Sequence, residues 1–153
     1  MGIRDYLKDP AGRRGISRAI RGAFARRRGA APANGRILVI DADPLMRETL
    51  VRMLQRASYD AVGVADGDQA LGLLYEDPFD LVITDTAVPE SDGPEAVAVL
   101  RRRSPLLKIV AVSPGADRED YLHAARSSGA SHTLVKPFDT EQLLQAIKRV
   151  LQD

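Results

Sequence analysis

From Arg36 onward the chain alternates short apolar runs with longer stretches of helical period. Ile37 to Ile40, Ala61 to Ala65, Leu81 to Thr84, Lys108 to Val112 and Thr133 to Val135 are apolar or nearly so and too short for buried helices. They predict five strands. Between and after them apolar residues recur at three-to-four spacing, which predicts five helices. These cover Pro44 to Gln55, Asp68 to Tyr75, Gly93 to Arg101, Arg118 to Ser128 and Thr140 to Leu151. Asp43-Pro44 is a good start signal for the first, a capping acid followed by proline in the first turn. The core stripes are expected at Met46, Leu50, Met53 and Leu54, at Ala70, Leu71 and Leu74, at Tyr121, Leu122 and Ala125, and at Leu143, Leu144, Ile147 and Leu151. Continuous apolar strands joined by helices argue for a parallel sheet covered on both faces. The fold class is therefore α/β, a doubly wound five-stranded parallel sheet of the flavodoxin-like type.

Right-handed crossovers in such a sheet leave a crevice at the carboxyl ends of the strands, where ligands bind. Four polar segments fall there. Asp41 and Asp43 follow the first strand, Asp85 ends the third, Ser113 ends the fourth and Lys136 ends the fifth. Two or three carboxylates in one crevice repel one another, and a cation relieves the repulsion. Mg2+ takes oxygen ligands, usually one or two carboxylates plus phosphate and water. A lysine and a serine hydroxyl suit phosphoryl oxygens.

Charge divides the chain in two. Residues 1–36 carry ten Arg or Lys and two acids, a net +8, and the remainder carries a net −7. The boundary is placed near Gly35, giving a basic arm over 1–35 and a folded domain over 36–153. Within the arm, Ile16, Ile20 and Phe24 recur among arginines, a basic amphipathic pattern. An anionic membrane or an acidic protein surface suits both charge and stripe. Nucleic acid suits the charge and leaves the stripe unexplained. A solvated tail with no partner is the bland alternative. The chain has no cysteine, which removes disulfides and thiol chemistry. With no long apolar run and no secretory leader, a cytoplasmic protein is expected, membrane-associated through the arm if at all. His123 and His132 show no ligand spacing and are expected to be solvated. Arg101-Arg102-Arg103 is expected to be the exposed end of the third helix.

Several segments together resemble the response regulator receiver family of two-component signalling. They are Ile-Leu-Val-Ile-Asp-Ala-Asp-Pro-Leu-Met-Arg at 37–47, Ala-Asp-Gly-Asp-Gln-Ala-Leu at 65–71, Phe-Asp-Leu-Val-Ile-Thr-Asp-Thr-Ala-Val-Pro-Glu-Ser-Asp-Gly at 79–93, and Leu-Val-Lys-Pro-Phe at 134–138. The resemblance implies that Asp85 accepts a phosphoryl group from a sensor histidine kinase or a phosphotransfer protein. It implies Mg2+ held by Asp41, Asp85 and the Ala87 carbonyl, and Asp43, one residue past the place of the family's second acid, is a further candidate ligand. It implies Lys136 and Ser113 as phosphoryl contacts, and a cis peptide between Lys136 and Pro137. Such a module is a signalling protein rather than a conventional enzyme, beyond Mg-assisted autophosphorylation and autodephosphorylation. With no output domain after the last helix, it would signal as a stand-alone receiver, by contact through the face of the fourth helix, fifth strand and fifth helix. A homodimer is one assembly open to it.

Three positions depart from the family's pattern. Ala42 replaces the second of two adjacent acids, so Asp43 is either a helix cap alone or a cap that also meets the metal. Thr133 replaces the usual Tyr or Phe, and Pro114 replaces a small residue and removes a backbone N–H. They make a degenerate receiver, a protein-binding module that takes no phosphate, the alternative function. A nucleotide enzyme is disfavoured, because acids stand where a glycine-rich phosphate loop would follow the first strand.

Overall fold

The computed structural model describes residues 34–85, 92–113, 115 and 119–153. The basic arm over 1–33, with its amphipathic stripe, lies outside the described residues, and so do Ala87, Val88-Pro89 and Pro114. Five strands form one sheet: β1 (Arg36–Ile40), β2 (Asp60–Val64), β3 (Leu81–Asp85), β4 (Lys108–Ser113) and β5 (His132–Val135). Every neighbouring pair is parallel, in the order β2-β1-β3-β4-β5. Five helices alternate with them: α1 (Pro44–Arg56), α2 (Gly67–Glu76), α3 (Asp92–Arg103), α4 (Glu119–Ser127) and α5 (Thr140–Gln152). The predicted elements and their order hold, with ends moved by one or two residues.

The period-two alternation of a strand explains the two-layered core. Leu38, Ile40, Val82 and Ile109 point to one face of the sheet and meet Ala70, Leu71 and Leu73 of α2 with Val97 and Leu100 of α3. Ile37, Val39, Leu81, Ile83, Val110 and Val112 point to the other and meet Leu50 and Leu54 of α1 with Leu143, Ile147 and Val150 of α5. Central strands packed on both sides need no polar alternation, which is why they read as unbroken apolar runs.

Two stripes differ from expectation. Leu73, outside the predicted stripe of α2, is fully buried, and Leu74 packs from the side. In α5 the centre of the stripe is Leu143, Ala146, Ile147 and Val150, while Leu144 and Leu151 are partly buried on one flank. Small Ala146 is buried with Leu143, Ile147 and Val150. In α4, Ala125 is buried as predicted, and the side chains of Tyr121 and Leu122 lie outside the described residues.

Local chemistry sets the helix ends. Asp43, Asp66 and Asp139 each cap a helix with a side-chain oxygen, and Gln142 returns the bond to Asp139 in a capping box. α4 closes on Gly129, at φ +114°, with Ala130 N–H donating to Ala125 O and Gly129 N–H to Arg126 O. That left-handed closure suits glycine.

Two expectations about charge need correction. Arg101 is not a free helix end. Its guanidinium donates to the carbonyls of Gly129, Pro105 and Leu107, tying α3 to the start of β4 and to the turn before β5. Arg102 and Arg103 are exposed as expected. His132 is half-buried in β5 rather than solvated, whereas His123 is exposed. Period-based reading assigns β5 too little cover, because the flanking helices shield an edge strand from both faces.

Candidate functional site

The carboxyl ends of β1, β3, β4 and β5 bring together four of the six predicted site residues. Asp41 leaves β1 with its side chain 2% exposed. One of its oxygens accepts from the Asp43 N–H at 2.9 Å, and its carbonyl accepts from the Arg47 guanidinium at 2.9 Å. Asp85 ends β3 beside it. Lys136 leaves β5 and extends its ammonium between them, with Nζ 3.2 Å from Asp85 Oδ2 and 3.6 Å from Asp41 Oδ2. One cation thus bridges two carboxylates. The Lys136–Pro137 peptide is cis.

Burial pushes the Asp41 carboxyl above its ordinary range. The Asp43 N–H pulls it back, the neighbouring Asp85 charge raises it again, and Lys136 offsets part of that. One ammonium does not fully compensate this buried acid.

Ser113 is fully buried at the end of β4. Its hydroxyl donates to the Gly115 carbonyl at 3.0 Å, and its own carbonyl accepts from the Lys136 N–H at 2.9 Å. The second bond holds the ends of β4 and β5 together under the lysine. Asp43 caps α1 by accepting from the Leu45 N–H at 3.0 Å, so one of its oxygens is engaged. Ala87 lies outside the described residues. Thr133, in the position of the family's aromatic residue, accepts from Arg126 of α4 at 2.8 Å.

Two contributors escape a reading of motifs. Arg47 reaches back along α1 to hold the turn after β1. The room for it comes from Gly63 on β2, where a Cβ would stand 2.7 Å from Arg47 Cγ. A glycine inside a strand signals close approach of another group, and that was the available clue. Thr84 is buried, with its hydroxyl directed at the Asp85 carbonyl at 3.4 Å.

The donor set fits a hard divalent cation. Asp41 and Asp85 offer two adjacent carboxylates, one of them buried and undercompensated, and Mg2+ commonly takes one or two with water and phosphate. Among the described residues, no three His, Cys, Asp or Glu side chains gather closely enough to hold a metal alone. A two-carboxylate site completed by other oxygens is what the residues allow.

Comparison with known proteins decides the family. The model of the response regulator receiver domain matches residues 37–148. The chain belongs to the response regulator receiver family. The transcriptional regulatory protein PdtaR of Mycobacterium tuberculosis is 35% identical over 116 residues, covering 74% of this chain and 55% of that protein. The chain spans about half or less of the length of the curated relatives it first matches. Among solved structures, the chemotaxis response regulator CheY4 of Vibrio cholerae superposes with a TM-score of 0.69 at 31% identity, over 75% of this chain and 97% of that one. The response regulator TrrA of Thermotoga maritima, in complex with Mg(2+)-BeF, gives 0.67 at 29% identity over the same shares. Receiver domains are signalling modules of two-component systems, not enzymes in the ordinary sense.

Proposed function

We propose that this receiver accepts a phosphoryl group on Asp85 from the phosphohistidine of a sensor kinase or phosphotransfer protein. The observation that carries the reading is the Lys136 ammonium bridging Asp85 and Asp41. An Asp85 oxygen attacks phosphorus, the P–O bond forms, the P–N bond breaks, and the histidine leaves with a proton. Hydrolysis by water later returns Asp85 and inorganic phosphate. Mg2+ would be held by Asp41, Asp85 and the Ala87 carbonyl, with Asp43 a further candidate, and would neutralise charge on the transferring group. Lys136 holds Asp85 in place before transfer and offers its ammonium to a phosphoryl oxygen afterwards. The Ser113 hydroxyl, by turning from the Gly115 carbonyl, offers a donor to another. The Mg(2+)-BeF complex of the similar TrrA supports this assignment of the site.

The signal leaves by protein contact through the α4–β5–α5 face, and the protein acts in the cytoplasm. Among the described residues no helix is long and apolar enough to cross a membrane. The basic arm, with its Ile16, Ile20 and Phe24 stripe, is assigned to an anionic membrane surface or an acidic protein.

A degenerate receiver that takes no phosphate is the second reading. Two observations favour it: Asp43 is engaged as a cap, and the Ser113 hydroxyl is turned to Gly115. Intact mass separates the two. The full chain is incubated with Mg2+ and a small-molecule phosphodonor beside Asp85→Ala. Gain of one phosphoryl group that needs both Mg2+ and Asp85 supports the acceptor. No gain, where a known receiver is modified, overturns it in favour of the binding module.

A further inference from the structure

β5 is the outermost strand of the sheet, and all four of its residues are half-buried rather than covered. Three elements bring basic groups to its N-terminal end. Arg126 lies in the last turn of α4, exposed, and is anchored at 2.8 Å to the Thr133 hydroxyl. His132 is the first residue of β5 itself. Arg149 lies near the end of α5, exposed, on the flank opposite the partly buried Leu144 and Leu151. Gln142 and Gln145 precede it at spacings of seven and four, so they share that flank, and neither adds an acid.

α5 follows β5 and returns along it, so the end of α5 that carries Arg149 and the end of α4 that carries Arg126 both flank the start of β5. Burial holds His132 below its ordinary value, and the charges of Arg149 and Arg126 hold it lower still. Neither arginine forms an ion pair among the described residues, whereas Arg36, Arg52 and Lys136 each do. The described end of this face therefore gathers basic groups that form no ion pair among the described residues, with Asp153 one turn beyond Arg149 the acid nearest in sequence.

We infer that the Arg126–His132–Arg149 end of the α4–β5–α5 face docks an acidic segment of a partner protein. The inference rests on the reading that this face carries the receiver's signal, and it names the chemistry of what the face meets. Each guanidinium presents a planar fork of donors suited to a carboxylate. Arg126 is already fixed by Thr133, so less side-chain freedom is lost on binding. A second copy set against the same end would place like charges together, which argues against it as the occupant. A Phe at position 133 would offer Arg126 no hydroxyl, and a Tyr would carry its hydroxyl at the far end of a ring rather than beside the strand. The substitution that disturbs the family's switch thus supplies the anchor for this patch.

The test uses the full isotope-labelled chain, a short Glu/Leu peptide and a Lys/Leu peptide of equal length. The expected result is amide shifts at Arg126, His132, Thr133 and Arg149 with the acidic peptide only. These weaken by about tenfold in apparent affinity with Arg126→Glu/Arg149→Glu and fade with added salt. Arg126→Gln/Arg149→Gln guards against an effect of the new acids. Shifts confined to residues 1–33 would mean that the basic arm takes the peptide, and would overturn the inference. So would shifts unchanged in both variants, or a doubled mass by light scattering with this face broadened in the absence of peptide. Intact mass after phosphodonor treatment is read on the same variants. On the native chain, a phosphoryl gain at Asp85 without acidic-peptide binding overturns the inference alone, and peptide binding without a phosphoryl gain overturns the acceptor reading alone.

Discussion

Arg101→Ala is expected to cost far more than an arginine at the end of a helix would suggest. The guanidinium places Nη2 2.8 Å and Nε 3.2 Å from the Gly129 carbonyl and Nη1 2.8 Å from the Pro105 carbonyl, and it also donates to Leu107. Three carbonyls in two loops lose a charged donor together. At about 1 kcal/mol for each, since water can reach part of the site, the loss is about 3 kcal/mol. A domain of this size holds about 5–15 kcal/mol in total. The melting temperature should fall by roughly 10 °C, at about 4 °C per kcal/mol. Arg101→Lys should recover only a minor part, because an ammonium cannot serve carbonyls on two sides at once. Gly129→Ala supplies a coupled test. Its Cβ would meet Arg101 Cγ and Nε at 3.1 Å, and its φ of +114° is strained for alanine. Both changes disturb one contact, so the double variant should lose less than the two single losses together. Urea unfolding followed by circular dichroism gives each value. A loss under about 1 kcal/mol for Arg101→Ala, or full recovery with lysine, would refute the assignment of this residue as a clamp.

Other expectations can be checked on the same protein. Asp41→Asn removes a buried carboxylate beside Asp85 and should raise stability without Mg2+ by about 1 kcal/mol. It should also abolish any gain in melting temperature on adding Mg2+. Because the folded-state value of Asp41 is raised, its ionisation opposes folding as pH rises above the ordinary aspartate range, and the variant should lose that part of the slope. Asp43→Ala should cost about 1 kcal/mol for the lost cap. Unchanged Mg2+ affinity by calorimetry would limit Asp43 to capping, and a weakened affinity would place it at the ion. His132 has a lowered value in the folded state, so the native chain binds fewer protons than the unfolded one. Its contribution is intact above the ordinary histidine value and lost as pH falls through it. His132→Gln should therefore show a smaller fall in melting temperature between pH 7 and pH 5 than the native chain, with equal falls counting against it.

The fold was legible because its strongest constraints are local. Strands buried on both faces must be apolar without a break, and helices that cover them must repeat at three to four. Asp43-Pro44 and the pair Asp139 and Gln142 mark helix starts by hydrogen bonds that close within one turn. Where packing depends on how closely an element approaches, the pattern misled. Leu73 is as apolar as Leu74, and only the seating of α2 decides which of them is buried. Asp41, Asp85 and Lys136 were legible for a related reason. Each ends or directly follows a strand, and parallel strands deliver their ends to one rim. Arg47, Arg101 and Arg126 were not, because their partners are a carbonyl or a hydroxyl on another segment. Such an arginine reads as a solvated charge until the loops are placed.

The three departures from the family's pattern do not act on the same part of the molecule. Ala42 removes a carboxylate from the site, which leaves Lys136 to balance two acids rather than three. Less repulsion is then available to recruit a cation, but the pair that faces the phosphoryl group is intact. Thr133 lies on β5, where its hydroxyl is taken by Arg126 of α4. It changes what the far face presents, not what Asp85 can accept. The Ser113 hydroxyl stands between these regions, on the strand that neighbours both β3 and β5. The Ser113 carbonyl also holds the Lys136 N–H, so the residue that offers the hydroxyl is itself tied to the β4–β5 junction. Coupling between acceptor and surface therefore has a physical route through backbone and hydroxyl that does not need an aromatic ring. A receiver altered in this way keeps the chemistry separable from the readout, so loss of the familiar switch residue is not by itself evidence against phosphorylation.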